Sequence, residues 1–281
     1  MVEGNVGPAS ESDRTPQPFG PDQVNSARVY DYLLGGKDNL EIDQDMGDQM
    51  LSRAPEIRTL AWYCRGFMLK TVQMAAEAGI RQFIDLGSGI PNQPNVDEVA
   101  LKFDPSAQVV YVDYDPVVLA HCDALLAKTA GVSALLGDIR RPRDILDELK
   151  NRALIDFDEP VAITIIGVLH YVMDDEHPAE IIAAFRDELA PGSLLAITHG
   201  SADSAPEILQ LLAHTRDTSA QVRFRSTAEA QALLAGFDLL APGLVPVQQW
   251  LRPALSETRL VMLGAVGRKP GRARRPDSTA H

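Results

Sequence analysis

RQFIDLGSGIPNQPN, residues 81–95, is the stretch on which the fold turns. Phe83, Ile84, Asp85 and Leu86 form a short, mostly apolar run, as expected of a strand buried inside a sheet. The run stops at Gly87-Ser88-Gly89, where glycine lets the backbone turn sharply and pass close to a ligand. Upstream, residues 45–79 carry helical periodicity broken near Pro55, which gives two helices, the second over 57–78 and closed by Gly79. Downstream, 95–103 reads as a helix and AQVVYVDYD (107–115) as a strand. Asp115 then caps the helix PVVLAHCDALLAK (116–128), with Pro116 at its first position. SALLGD (133–138), 160–172 and SLLAITH (193–199) are further strands, separated by helices over 141–151 and 178–190.

Strands alternating with helices predict an α/β, Rossmann-like doubly wound parallel sheet. The end of the chain breaks the alternation. After a helix over 227–235, FDLLAPGLVPVQQW (237–250) and TRLVMLGAVGRK (258–269) follow without a helix between them, so they pair antiparallel. The expectation is seven strands, mostly parallel, with an antiparallel C-terminal strand. Residues 1–22 and the basic stretch 268–281 read as disordered tails, 23–79 as an N-terminal lid and helices, and 80–267 as the core.

The 281 residues, 45% hydrophobic and 23% charged, suffice for a sizeable core. A net charge of −13 argues against nucleic acid, since phosphate contacts need clustered Lys and Arg. Cys64 and Cys122 lack metal-ligand spacing and fit a reduced, cytoplasmic protein. No apolar run suits a membrane span, and the first residues do not read as a signal peptide. No metal site is expected. His121, His177 and His214 read as surface residues, and EHPAE as a helix start.

The second strand ends in Asp113, roughly two dozen residues after Gly89, near the spacing at which an acid meets a ribose diol in dinucleotide folds. A strand, a glycine turn, a helix and an acid at the next strand end together favour a nucleotide. The turn lacks the third glycine of a dinucleotide fingerprint, Pro91 and Pro94 delay the helix, and no Arg or Lys stands in it. Adenosine without pyrophosphate fits, which points to S-adenosyl-L-methionine (SAM), with S-adenosyl-L-homocysteine (SAH) as product. An NAD-dependent oxidoreductase is disfavoured by the same loop.

FIDLGSG, VVYVDYDP, LLGD, GVLHYV and PGSLLAIT resemble the ordered motifs of class I SAM-dependent methyltransferases over residues 80–267. More narrowly, ARVYDYLLGGKDN (27–39) with GIRQFIDLGSGIPNQPNVDEVA and VVYVDYDPVVLAH resembles the actinobacterial "S-adenosyl methyltransferase" family, long listed as a domain of unknown function. The resemblance implies that Asp85, Gly87, Ser88 and Gly89 line the methionine part of SAM. It implies that Asp113 binds the ribose, that Tyr114 lies against the adenine, and that Asp138 and Ile139 meet the adenine edge. Gly167 and His170 match the end of the fourth strand, beside the methyl group.

Methyl transfer favours a closed site. A segment ahead of the first strand can close one, and ARVYDYLLGGKDN is expected to be that lid. Arg28 or Lys37 would pair with the SAM carboxylate, and Tyr30 or Tyr32 would face the sulfonium or adenine. Gly35-Gly36 would make the turn. The alternative is a plain N-terminal helix with packed tyrosines and the glycines as its C-cap. His170 and His199, at the ends of strands four and five, are the candidate general bases, or simply hydrogen-bond the backbone. Residues 200–225, with a helix over 206–216 and then a polar link, are expected to build the acceptor pocket. Arg223 and Arg225 would greet an acidic small molecule or be surface charge. The expected function is methyl transfer to a small-molecule oxygen or nitrogen. The alternative is a SAM-binding sensor or regulatory module without catalysis.

Overall fold

The computed structural model describes residues 23–126, 129–213, 221–252, 255 and 257–271. The tail expected over 1–22, most of the basic tail, His214 and the link over 214–220 lie outside the described residues.

Five parallel strands carry the core: β1 (Gln82–Leu86), β2 (Gln108–Asp113), β3 (Val132–Leu136), β4 (Val161–Ile165) and β5 (Leu194–Gly200). Three more follow: β6 (Asp238–Leu239), β7 (Val245–Pro246) and β8 (Met262–Arg268). The sheet order is β3-β2-β1-β4-β5-β8-β6, with β7 also on β8, and β8 runs antiparallel to its neighbours. The expected seven strands are thus eight. Residues 237–250 make two short strands, because a turn at Gly243 (φ 89) divides them and α10 (Val247–Leu251) ends the second.

The period of two along each strand sorts side chains into two layers. Phe83, Val109 and Tyr111 face a core with α3 (Ile57–Glu77), α4 (Val96–Phe103) and α5 (Pro116–Leu126). Ile84, Leu86, Val110 and Val112 face the other, with α6 (Pro142–Asn151), α7 (Pro178–Glu188) and α9 (Thr227–Ala232) close by. Strand order reverses at β1, flanked by β2 and β4, so the crevice opens at the C-terminal ends of these strands.

Ahead of the sheet stand α1 (Ser26–Leu34) and α2 (Glu41–Arg53). Asn25 caps α1 by accepting from the Arg28 N–H at 3.0 Å, and Gly35 closes it in the left-handed region (φ 80). Val29, Leu33 and Leu34 pack on Ala61 of α3. The remaining helix, α8 (Pro206–Ala213), follows β5. Among the described residues no helix is long and apolar enough to cross a membrane.

Candidate functional site

The ends of β1 and β2 carry the first half of the crevice. Asp113 Oδ2 accepts from the Gly89 N–H at 2.8 Å and Oδ1 from the Asp115 N–H at 3.0 Å. Each oxygen keeps a lone pair for a further donor. The carboxyl is buried, and burial pushes its pKa up to about 6. Asp115 caps α5 through the Val117 N–H at 2.8 Å. At Gly87 (φ 73) a Cβ would strike Val168, whereas one at Gly89 (φ 64) or Gly167 (φ 75) would meet open space. Ser88 Oγ is buried with no well-formed hydrogen bond, beside the Cys122 thiol. Asp85 accepts from Thr164 Oγ1 at 2.6 Å; burial raises its pKa, while Thr164 and the Arg65 charge oppose this.

Helix α1 lies across this half. The Asn25 amide bonds the Asp115 carboxylate, and Asn92 Nδ2 of the glycine loop donates to Asp31 Oδ1 at 2.8 Å. Asp31 Oδ2 gathers the turn behind α1 by accepting from the Asp38 N–H (2.9 Å) and Asn39 Nδ2 (2.7 Å). A Cβ at Gly36 would collide with the same carboxylate. Tyr30 donates to the Ala61 carbonyl at 3.1 Å, and burial pushes the pKa of its phenol up. Tyr114, 39% exposed, interacts with Ser26 of α1, and its pKa is pushed up to about 12, mainly by burial.

Two lid residues stand elsewhere than expected. Arg28 is buried in an ion pair with Asp43 (2.6 Å) and donates to the Gln23 carbonyl, so its Nε ties α1 to α2 and its Nη2 holds the chain ahead of α1. Tyr32 points the other way from Tyr30, since residues two apart do not share a helix face. It donates to Asp48 at 2.6 Å beneath the Arg58 guanidinium. Lys37 is exposed on the turn after Gly36.

The buried cation beside the glycine loop is Arg65 of α3, which the sequence reading missed. Its Nη2 donates to the Pro94 carbonyl at 2.7 Å, to the Asn92 carbonyl and to the Asn95 side chain. Its charge reaches both Asp85 and Tyr30. The signal was present: Ala61, Arg65, Met68, Val72 and Ala75 form one buried stripe at helical spacing, and a lone cation in such a stripe has a partner.

Asp138 holds Arg140 through both carboxylate oxygens, at 2.9 and 3.0 Å from Nε, and Arg140 also reaches Glu176. Ile139 packs on the layer of α6 and α7.

The ends of β4 and β5 carry the second half. A 3-10 turn, Leu169–Tyr171, follows Gly167, whose N–H donates to Thr198 Oγ1 at 2.8 Å. Neither ring nitrogen of His170 has a hydrogen-bond partner among the described residues, and Nδ1 is fully buried. Burial, then the His199 and Arg225 charges, push its pKa down to about 3. Tyr171 is 42% exposed, yet surrounding protein desolvates its phenol, as for a side chain that lines a cleft. Its ring lies against that of His170, with centroids 4.5 Å apart. His199 is fully buried with both nitrogens engaged: Nδ1 on the Gly200 carbonyl (2.8 Å) and Nε2 facing Arg225 Nη1 (2.9 Å). That makes it the neutral Nδ1–H tautomer, with no lone pair left for a substrate.

Two hollows open outside the strand-end crevice, about 540 Å³ between α5, β3 and α6 and about 340 Å³ between α7 and α9, the second lined in part by Asp174 and Arg225. The chemistry, not the size of a hollow, marks the site. No group of three metal-capable side chains occurs among the described residues.

A family model described as S-adenosyl methyltransferase matches residues 13–270. The chain belongs to this family. The methyltransferase is similar to a Thermobifida fusca YX protein whose crystal structure names it a candidate methyltransferase, at 38% identity and TM-score 0.83, over 90% of this chain and 98% of that one. It is likewise similar to a DUF574 family protein of Streptomyces avermitilis MA-4680, at 36% identity and TM-score 0.83, over 89% and 99% of the two chains. No curated protein matches its sequence.

It is a SAM-dependent methyltransferase, with SAM as its cofactor. The residues present fit that group. Ser88 Oγ is an orphaned buried hydroxyl, Gly89 and Gly167 leave open space, and the Asp113 oxygens each retain a lone pair.

Proposed function

We propose that the methyltransferase acts on an oxygen or nitrogen of a small-molecule acceptor. The observation that carries this reading is the latching of α1 over the crevice, from Asn25 to Asp115 and from Asp31 to Asn92. A space closed in this way suits a small molecule better than a folded macromolecule, and a net charge of −13 opposes nucleic acid. Two buried free thiols, Cys64 and Cys122, support work in the reducing cytoplasm.

Bound SAM supplies an electrophilic methyl group on a sulfonium. Asp113 accepts from the ribose hydroxyls, and Asp85, Gly87, Ser88 and Gly89 line the methionine part. Arg65 takes the role expected of Arg28 or Lys37, pairing with the carboxylate. Tyr114 lies against the adenine, with Asp138 and Ile139 at its edge, and Asp138 stays tied to Arg140 throughout. Tyr30, not Tyr32, faces the sulfonium. Gly35 and Gly36 shape the turn behind α1, which moves aside to admit the cofactor.

His170 and Tyr171 face the acceptor. A neutral imidazole with so low a pKa accepts a hydrogen bond from the attacking group and orients it, but holds a full proton poorly near neutrality. The acceptor is therefore a nucleophile that needs no strong base, such as an amine nitrogen or an acidic hydroxyl. Methyl-labelled SAM incubated with size-fractionated cell extract tests the reading. Label in the low-mass fraction supports it; label in protein or RNA overturns it. Binding of SAM with label in no fraction would favour a SAM-binding module without catalysis.

A further inference from the structure

We infer that Arg225 is a positioning residue for methyl transfer, holding the His170–Tyr171 turn in the form that meets the acceptor. The inference rests on that turn being the acceptor wall. Arg225 enters from the segment between α8 and α9 and is 3% exposed. Its Nη1 donates to the Leu169 carbonyl at 3.3 Å and faces His199 Nε2. Its Nη2 donates to the Val172 carbonyl at 3.0 Å and to Asp174 Oδ1 at 2.6 Å. Two residues earlier, the Arg223 N–H donates to the His170 carbonyl at 2.7 Å. The carbonyls of residues 169, 170 and 172 are thus all taken by one short segment.

A single 3-10 turn is weakly held by its own hydrogen bonds. No hydrogen bond of their own fixes the His170 ring or the Tyr171 phenol among the described residues, so they take their direction from the backbone beneath them. Phe224 adds packing: its ring lies 6.1 Å from that of His170, and a Cβ at Gly200 would strike it. Burying a guanidinium is costly unless its donors are met, and here they fix one geometry of the turn. An apolar side chain of similar size would fill the space and release the Leu169 and Val172 carbonyls, leaving the turn held only by the Arg223 N–H on the His170 carbonyl. Lysine, a point charge, cannot bridge them either.

Asp174 completes the arrangement. Its carboxylate takes Arg225 at 2.6 Å and Arg223 Nε at 3.0 Å. Partial burial would raise its pKa, but the two arginines outweigh it and hold the group below its usual value. Its side chain is 63% exposed, so its replacement perturbs the clamp without opening the core.

The test compares the parent with Arg225→Met, Arg225→Lys and Asp174→Asn. SAH affinity is read by calorimetry, backbone amide exchange residue by residue, and His199 by the pH dependence of its ring signals. In Arg225→Met, exchange at Tyr171 and Val172 is expected to rise roughly tenfold while β1 and β2 hold. His199 titrates at a higher pH than in the parent, and SAH affinity stays within about twofold. Label transferred from SAM into the low-mass fraction falls about tenfold. Arg225→Lys recovers little of this, and Asp174→Asn gives a smaller change in the same direction. Exchange rising equally in all strands would reduce Arg225 to a stability role and overturn the inference. So would a loosened turn with undiminished label. A parent protein that labels no small molecule would instead be a failure of the proposed acceptor class, and leaves the exchange and His199 results to judge the clamp.

Discussion

At the end of β2, Asp113 is fixed by two backbone N–H groups, one of them only two residues along the chain. At the end of β4, the His170 side chain has no hydrogen bond among the described residues, and the turn beneath it is gripped by residues more than fifty positions away in sequence. In the proposed cofactor half the Asp113 carboxylate is fixed by backbone close at hand, among glycines and helix caps, while Asn25 and Thr164 reach in from far along the chain. The proposed acceptor half is held at long range, around His170, the buried His199 and the buried Arg225. A part that always binds the same molecule can be hard-wired into strand ends. A part that meets a particular acceptor is more readily altered when a separate segment shapes it.

Breaking the cofactor half at its frame gives the largest expected effect. Arg28→Met strands the buried Asp43 carboxylate and should lower unfolding free energy by about 3–5 kcal/mol, read by chemical denaturation. Loss of SAM affinity with stability intact would instead make Arg28 a cofactor ligand. Next, Asp113→Ala removes charge-assisted bonds and should weaken SAM binding by roughly one to two decades, about 1.4 kcal/mol per decade, by calorimetry.

On the acceptor side, His199→Ala leaves an Arg225 donor unpaired and should cost about 1–3 kcal/mol of stability with SAM binding unchanged. Methyl transfer abolished at full stability would contradict this and make His199 the base. The latch is a finer test: Asn25→Ala should speed SAM dissociation by roughly tenfold in stopped-flow displacement, through loss of the bond to the Asp115 carboxylate. The smallest effect belongs to Tyr32→Phe, which should change SAM affinity by less than about 0.5 kcal/mol, because the phenol faces Asp48 and not the crevice.

The same contrast explains what could be read from sequence. The five parallel strands announce themselves as apolar runs between helices, and Asp113 and Gly87-Ser88-Gly89 stand at strand ends, where the crevice opens. The lid region was legible as a feature but not residue by residue. Tyr30 and Tyr32 lie two apart, so only one can face the crevice, but which one depends on how α1 packs on α3. Arg28 finds Asp43 in another helix, and that pairing has no local signature. Arg65 was legible in principle as a cation inside an apolar stripe. Tyr171, beside His170 in GVLHYV, gave no sign that its ring packs on that of His170. Arg223 and Arg225 read either as contacts for an acidic small molecule or as surface charge, because their partners, the carbonyls of residues 169, 170 and 172, carry no sequence signal at all.

The most direct measurement is the pH dependence of SAM affinity in the parent and in Asp113→Asn. Burial raises the Asp113 pKa to about 6, so the folded protein favours the protonated form, and ionising it costs stability as pH rises from the ordinary carboxylate value through about 6. Ribose hydroxyl donors favour the carboxylate, so SAM binding should strengthen and release a proton as pH rises through that value. The account predicts that the parent loses affinity steadily below about pH 6, and that the variant binds weakly without this dependence. Equal affinity and equal pH dependence in the two proteins would contradict the placing of the cofactor at Asp113.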